Sequence, residues 1–114
     1  MTIEALRNEG FRVIAVDRLG FGRSSKPDIH YNLHIPVWNT KALLDNLGIE
    51  KAAIVGHSMG GMVATRFAST YPETTTHLVM VNQIGLADTR PGRPWTDPEL
   101  VYESVLKTSY ESVL

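Results

Sequence analysis

The chain contains no cysteine, which excludes disulfide bonds and thiolate metal sites. No apolar run approaches the roughly 20 residues that a membrane-spanning helix needs. A secretory signal is not predicted either, because Glu4, Arg7 and Glu9 place charges where that signal would be apolar. Charge of one sign is also lacking: 11 basic and 12 acidic residues leave a net charge of −1, so neither nucleic acid nor an anionic membrane is an expected partner. These features predict a soluble, cytoplasmic protein of at most one domain in 114 residues.

What the chain does contain is an alternation of helix-like and strand-like segments over residues 1–86. The predicted elements, in order, are a helix at 2–9, a strand at 11–17, a helix at 33–47, a strand at 51–55, a helix at 59–71 and a strand at 77–82. This alternation predicts the α/β class, with a parallel sheet and helices on both faces in three layers. In the second helix, the apolar spacing predicts a buried stripe of Trp38, Ala42, Leu43 and Leu47.

The character of the sequence changes after residue 86. Residues 88–95 include Pro91, Gly92 and Pro94, which predict an irregular linker. Residues 96–99 have the pattern of a capping box and predict a last helix from Thr96 to Leu114.

Two motifs follow the first two predicted strands. Residues 56–60 read Gly-His-Ser-Met-Gly, a Gly-x-Ser-x-Gly turn between strand and helix, and residues 17–24 read Asp-Arg-Leu-Gly-Phe-Gly-Arg-Ser. Together and in this order they resemble the serine turn and the Asp-x-x-Gly-x-Gly-x-Ser turn of the α/β-hydrolase family. The resemblance implies a partial α/β-hydrolase core at 1–86, with its elbow at 56–60, and a linker and first lid helix at 87–114.

The family's elbow has a physical logic that the residues here match. Ser58 would be the nucleophile, held at positive φ so that its hydroxyl projects clear of the sheet edge. Gly56 and Gly60 lack the side chains that would collide in so tight a turn. The Met59 amide, at the start of the next helix, would be one oxyanion donor. Gly61 would let that helix pack close to neighbouring backbone.

The residues around the two motifs are expected to be structural. His57 adjoins the serine, but its side chain should point the other way, so packing is favoured over a role as the base. Asp17 and Arg18 are expected to fix their loop through hydrogen bonds, with Gly20 and Gly22 shaping the turn. The other histidines lack the spacing of metal ligands, and no metal or organic cofactor is expected: His30, His34 and His77.

A partner base for Ser58 is missing. A serine hydroxyl needs a base, and the base needs an orienting acid. The family supplies them in the order serine, acid, histidine, but the last histidine here is His77, at the start of a predicted strand. Asn82 and Gln83 occupy the place where some members carry the acid, and Asp88 is the nearest, weak, alternative. Neither the catalytic histidine nor the acid is therefore identified in this chain.

The resemblance also implies that an earlier strand lies between the strands at 11–17 and 51–55. Without it the two would stand about 10 Å apart, with unpaired edges facing an empty slot. The loop that carries the second oxyanion amide also belongs to the part before this chain. We therefore expect the chain to be a piece of a longer protein and to be inactive alone.

The function implied by the resemblance is acyl transfer to water from a small hydrophobic ester. Ser58 argues against epoxide opening and carbon–halogen cleavage, for which the family uses aspartate. Esterase, carbon–carbon hydrolase, aminopeptidase, perhydrolase and hydroxynitrile lyase chemistry remain open, as does a non-catalytic fragment or interaction module. Complementary chains that supply the missing strands are a further possibility, and the oligomeric state is not predicted.

Overall fold

The computed structural model describes residues 2–85, 92 and 96–111. Its helices and strands, in chain order, are α1 (Thr2–Asn8), α2 (His34–Asn46), β1 (Ala52–His57), α3 (Met59–Thr70), β2 (Thr75–Val81) and α4 (Pro98–Glu111). The two strands are parallel neighbours, with Val55 opposite Val79 and His57 opposite Val81. The predicted α/β class, with a partial parallel sheet, is confirmed.

The core lies on one face of this sheet. α3 packs against both strands, and α2 packs against α3. The buried cluster consists of Val37, Leu44, Val63 and Phe67, with Ile49, Ala52, Ile54 and Tyr71 packed against it. On the opposite face, the described residues leave the strands uncovered, and Val55 is 60% exposed. Of the described helices, α3 thus lies on the strands and α2 lies on α3, while α1 and α4 contact neither strand.

Local sequence signals set the ends of α2. The Asn32 side-chain oxygen accepts hydrogen bonds from the amides of His34 (2.9 Å) and Ile35 (3.2 Å), and so satisfies two donors of the first turn. Gly48 ends the helix with a φ of 66°, which the absence of a Cβ makes accessible.

The predicted buried stripe of α2 was wrong by one position. Val37 and Leu44 are buried, whereas Trp38 is 57% exposed and Ala42 and Leu47 are also exposed. The reason is tertiary, since the face that α3 covers determines which residues of α2 are buried. Leu43 is half-buried.

Residues 11–17 form no strand, contrary to the sequence prediction. The amides of residues 12–17 make no hydrogen bond to the backbone of any described residue. A groove of about 510 Å³ lies between this segment and β1, with Ile14, Val16 and Arg18 lining one side and residues 51–55 the other. The floor comes from α2 and α3. A strand requires a hydrogen-bonded neighbour. Because the groove separates residues 11–17 from β1, the two segments are too far apart to form hydrogen bonds with each other.

The unpaired edge of β1 faces the same groove. The Ser58 amide donates to the Val81 carbonyl at 3.1 Å, on the β2 side. Since the amides of a strand alternate between its two edges, those of Ala53, Val55 and His57 point away from β2. Both sides of the groove thus carry backbone groups without a ladder partner among the described residues.

Helix α4 begins two residues later than predicted. Asp97 immediately precedes it, and its side chain accepts a hydrogen bond from the Glu99 amide at 2.9 Å, so Asp97 caps the first turn. The rest of the predicted helix, to Leu114, lies outside the described residues, as does most of the predicted linker. Within the described ranges, α4 packs against no other helix or strand, and no helix is long and apolar enough to cross a membrane.

Candidate active site

Ser58 occupies a sharp turn between β1 and α3. Its backbone has φ 52° and ψ −121°, outside the conformations that a serine ordinarily adopts. The positive φ predicted for this residue is thus observed. The turn lies at the carboxyl end of a parallel strand, the edge at which α/β proteins bind ligands.

Gly56 makes this turn possible by its lack of a side chain. A β-carbon at Gly56 would overlap the Gly60 carbonyl and lie only 2.8 Å from the Gly61 Cα. The first turn of α3 therefore lies directly against the end of β1, as predicted for Gly56.

Of the other two glycines at the start of α3, Gly60 acts differently from the prediction. A β-carbon at Gly60 would meet nothing within 4 Å, so no collision requires glycine there. Gly60 instead borders the groove between β1 and residues 11–18. Gly61 permits a close approach, as predicted: its Cα lies 2.8 Å from where a β-carbon of Gly56 would be, and the Cγ of Gln83 would lie 2.7 Å from a β-carbon on Gly61.

Hydrogen bonds hold the Ser58 backbone and leave its side chain available. The Ser58 amide is bound to Val81 as described above, and the Ser58 carbonyl accepts from the Gly61 amide at 2.9 Å. The Ser58 hydroxyl makes no capping bond to α3 and no hydrogen bond to any described residue. The Met59 amide likewise has no acceptor within the described residues. A half-buried hydroxyl and an unbonded amide at the positive end of a helix dipole are therefore adjacent.

Asp17 organises the second motif, as predicted. Its side chain accepts a hydrogen bond from the Arg23 amide at 3.0 Å, and its carbonyl accepts one from the Ser24 hydroxyl at 2.6 Å. Gly22 has φ 51° and packs so closely on the Asp17 carboxylate that a β-carbon would overlap it. Gly20 has φ 90° and lies against the Tyr31 ring. A β-carbon on Gly20 would be only 2.9 Å from the nearest carbon of that ring.

Arg18 fixes its loop through its backbone and not through its side chain. Its side chain forms no hydrogen bond within the loop; its guanidinium lies 4.9 Å from the centre of the Phe21 ring. The backbone carbonyl of Arg18 accepts from the Phe21 amide at 2.8 Å, which closes the turn that brings the two side chains together. The side chain of Arg18 is thus held by a cation–π contact.

A cavity of about 500 Å³ lies between the Asp17 loop, the start of α2 and the serine turn. Its lining residues are Arg18, Leu19, Gly20, Phe21, Tyr31, Asn32, Leu33, Ile35, Pro36 and Met59. Most of these are apolar, and Met59 connects the cavity to the serine turn. The volume suits a small organic ligand. This cavity could not be predicted from the sequence, because no periodicity or motif relates residues 31–36 to Met59.

The tip of β2 adjoins the serine turn. Asn82 follows Val81, whose carbonyl binds the Ser58 amide, and Asn82 has φ 46°. Two non-glycine residues with positive φ are therefore neighbours at the ends of adjacent strands. Gln83 lies against Gly61, and its side-chain oxygen accepts from the Thr65 hydroxyl at 3.3 Å. Neither side chain is acidic, and Asp88, the weak candidate for the acid, lies outside the described residues.

The histidines form no catalytic or metal-binding group within the described residues. His57 is exposed and makes no hydrogen bond to Ser58. His34 packs against Trp38, with ring centres 5.7 Å apart, while His30 and His77 are exposed. No cluster of three metal-ligating side chains occurs in the part of the chain that the structure describes. A base for Ser58 is therefore not among the described hydrogen-bond partners.

The chain is similar in sequence and in structure to proteins of one fold family. Residues 2–108 match the model of the alpha/beta hydrolase fold. The crystal structure of a probable hydrolytic enzyme from Pseudomonas aeruginosa superposes with a TM-score of 0.85 and 47% identity, covering 98% of this chain and 36% of that one.

Named relatives point to more than one hydrolase reaction. The chain is 43% identical over 77 residues to a 2-hydroxymuconate semialdehyde hydrolase of a Pseudomonas species, covering 67% of this chain and 27% of the relative. It is 38% identical over 82 residues to epoxide hydrolase B of Mycobacterium tuberculosis, covering 70% and 23%. The chain spans about a quarter of the length of the curated relatives that it matches.

Proposed function

Since this chain belongs to the alpha/beta hydrolase fold family, and several of its relatives are named hydrolases, we propose that Ser58 is the nucleophile of a serine hydrolase. The substrate is a small ester with an apolar portion, and the reaction is transfer of its acyl group to water. The observation that supports this most directly is the Ser58 backbone at φ 52°, with a hydroxyl and an adjacent Met59 amide that form no hydrogen bond to a described residue.

The proposed reaction proceeds through an acyl-serine. The Ser58 hydroxyl oxygen forms a bond to the carbonyl carbon while a base takes its proton. The Met59 amide donates to the oxyanion of the tetrahedral intermediate, one half of an oxyanion hole. The bond to the alcohol oxygen then breaks, the alcohol leaves with the proton, and water releases the acid by the same steps in reverse order. The base and the second donor are not assigned to described residues.

Among the relatives' reactions, carbon–carbon hydrolysis is compatible with this proposal and epoxide opening is less so. A serine at the elbow can serve hydrolysis of a carbonyl compound, whether the departing group is an alcohol or a carbon fragment. Epoxide-opening members use an aspartate at the nucleophile position, and residue 58 is serine.

A second candidate is that the 114-residue chain alone is non-catalytic. Large apolar side chains stay exposed on the sheet and on α4: Val55 is 60% exposed and Tyr102 is 65% exposed. Such surfaces mark contacts with other segments or proteins. On this view the chemistry needs additional polypeptide to bring a base to Ser58.

The test is hydrolysis of an activated aryl ester by the 114-residue chain and by any longer protein that contains it. In a form that turns over, Ser58→Ala should lower kcat at least about a thousandfold, whereas Ser69→Ala, at an exposed serine of α3, should not change it. Turnover that survives Ser58→Ala would refute the nucleophile. Turnover by the 114-residue chain that depends on Ser58 would refute the non-catalytic alternative.

A further inference from the structure

Arg18 is a cation on the side of an apolar cavity, and no described carboxylate pairs with it. It is half-buried, and among the described residues that line the 500 Å³ cavity it is the one charged side chain. The contact that the structure gives its guanidinium is the Phe21 ring at 4.9 Å. The nearest carboxylate in sequence, Asp17, is bound instead to the Arg23 amide.

The contact with Phe21 indicates which of two cavities the guanidinium lies beside. Arg18 borders both the groove beside β1 and the cavity beside Met59. Phe21 lines the second and not the first. The guanidinium over that ring thus lies beside the Met59 cavity, and its N–H groups, which bind no described residue, can donate to a planar, bidentate anion.

The neighbouring polar group adds a second donor. Asn32 lines the same cavity, and its side-chain oxygen is occupied by the His34 and Ile35 amides. The remaining hydrogen-bonding group of Asn32 is therefore its NH2, which can donate but not accept. The Tyr31 hydroxyl donates to the Pro27 carbonyl at 2.9 Å, so its proton is not available to a ligand in the cavity. The side-chain groups of Arg18 and Asn32 that remain available at this cavity are hydrogen-bond donors, which favours binding of an anion over a cation.

We propose that this cavity is a carboxylate-binding site, in which Arg18 binds the carboxylate of a small organic acid whose apolar chain lies against Phe21, Leu33 and Ile35. The substrate inference rests on the proposed function: the preferred substrate is an ester that also carries a free carboxylate, with its ester carbonyl at Ser58 and its carboxylate at Arg18. Arg18 is then the residue that selects acidic over neutral esters.

The binding claim is tested without catalysis, on the 114-residue chain, by titration calorimetry with hexanoate and with hexanamide, its uncharged analogue of the same shape. A charge-assisted hydrogen bond predicts tighter binding of hexanoate by about tenfold or more. The preference should vanish in Arg18→Gln and shrink in Arg18→Lys, which keeps the charge but loses the planar fork. Arg23→Gln, at an exposed arginine of the same loop outside the cavity, should retain it.

Several outcomes would overturn the proposal. Equal affinity for the two ligands would do so, as would a preference that survives Arg18→Gln or is lost in Arg23→Gln. Because the Arg18 side chain makes no hydrogen bond to a described residue, its variants should keep the circular dichroism spectrum of the parent, which separates a lost site from a lost fold.

Ser58→Ala separates this inference from the proposed function. It should leave the hexanoate preference intact, since Ser58 does not bind the carboxylate. Ester hydrolysis that depends on Ser58 but does not favour acidic esters would leave the nucleophile standing and contradict the carboxylate site. A hexanoate preference in a protein without Ser58-dependent hydrolysis would support the carboxylate site and contradict the proposed nucleophile.

Discussion

The carbonyl of Gly60 lies directly over the Cα of Gly56, so closely that a β-carbon on Gly56 would overlap it. This contact fixes the start of α3 against the end of β1, and Ser58 lies in the turn between them. The position of the proposed nucleophile therefore depends on two glycines that face different surroundings.

Gly56→Ala should destabilise the chain, while Gly60→Ala should not. The first change forces backbone atoms apart, a strain of about 1–3 kcal/mol. The second places a methyl group where nothing lies within 4 Å, and replacing a helical glycine should stabilise by up to about 1 kcal/mol. Denaturant unfolding followed by circular dichroism measures both. Equal effects of the two substitutions would contradict the geometry of the turn.

The strain at Ser58 can be measured by comparing two variants that both remove the hydroxyl. Glycine adopts positive φ freely, whereas alanine does not, so Ser58→Gly should be more stable than Ser58→Ala by about 1 kcal/mol. Both should be equally inactive in any form of the protein that hydrolyses esters. An alanine variant at least as stable as the glycine variant would indicate that residue 58 is relaxed.

Hydrogen exchange tests the groove within a single strand. The amides of Ala52 and Ser58 donate to Thr74 and Val81, and should exchange slowly. Those of Val55 and His57 point to the groove edge and should exchange at least tenfold faster, as should residues 12–17, because roughly 1.4 kcal/mol of lost protection is a factor of ten. Similar protection of all the β1 amides would mean that the groove edge is covered. Repeating the measurement at two protein concentrations shows whether a second copy covers it.

The core should respond to truncation at Phe67 and tolerate it at Trp38. Phe67 is 1% exposed and lies in the cluster with Val37 and Leu44, so Phe67→Ala should cost about 3–5 kcal/mol, enough to unfold a marginal domain. Trp38, although larger and predicted from the sequence to be buried, is mostly exposed, and Trp38→Ala should cost less than about 1 kcal/mol. Thermal unfolding distinguishes the two, and the reverse order would show that α2 is rotated from the position described here.

The features that could be predicted from the sequence are those set by local sterics. The positive φ of Ser58, the close approach at Gly56 and the hydrogen bonds of Asp17 all arise within a few residues, and each has a recognisable motif. The helix ends at Gly48 and near Asn32 likewise follow from short-range hydrogen bonding.

The features that could not be predicted depend on distant partners. Unpaired edges beside residues 11–17 were expected from the resemblance, but the loss of the strand itself was not. These residues pair with no described segment, and the neighbour that a strand needs is not determined by the strand's own sequence. The buried face of α2 was misjudged by one residue because α3 determines it. The stacking of Arg18 on Phe21, and the cavity that joins them to Met59, require the loop, α2 and the serine turn to be assembled first.

The most direct test of the account is covalent labelling of the proposed nucleophile. A form of the protein that hydrolyses an aryl ester is treated with a fluorophosphonate, and the labelled peptide is mapped by mass spectrometry. We expect one phosphonyl group, on Ser58, with loss of ester hydrolysis in proportion to labelling and no label in Ser58→Ala. A label on another residue, or an esterase that stays unlabelled and active, would contradict the central claim that Ser58 carries the chemistry.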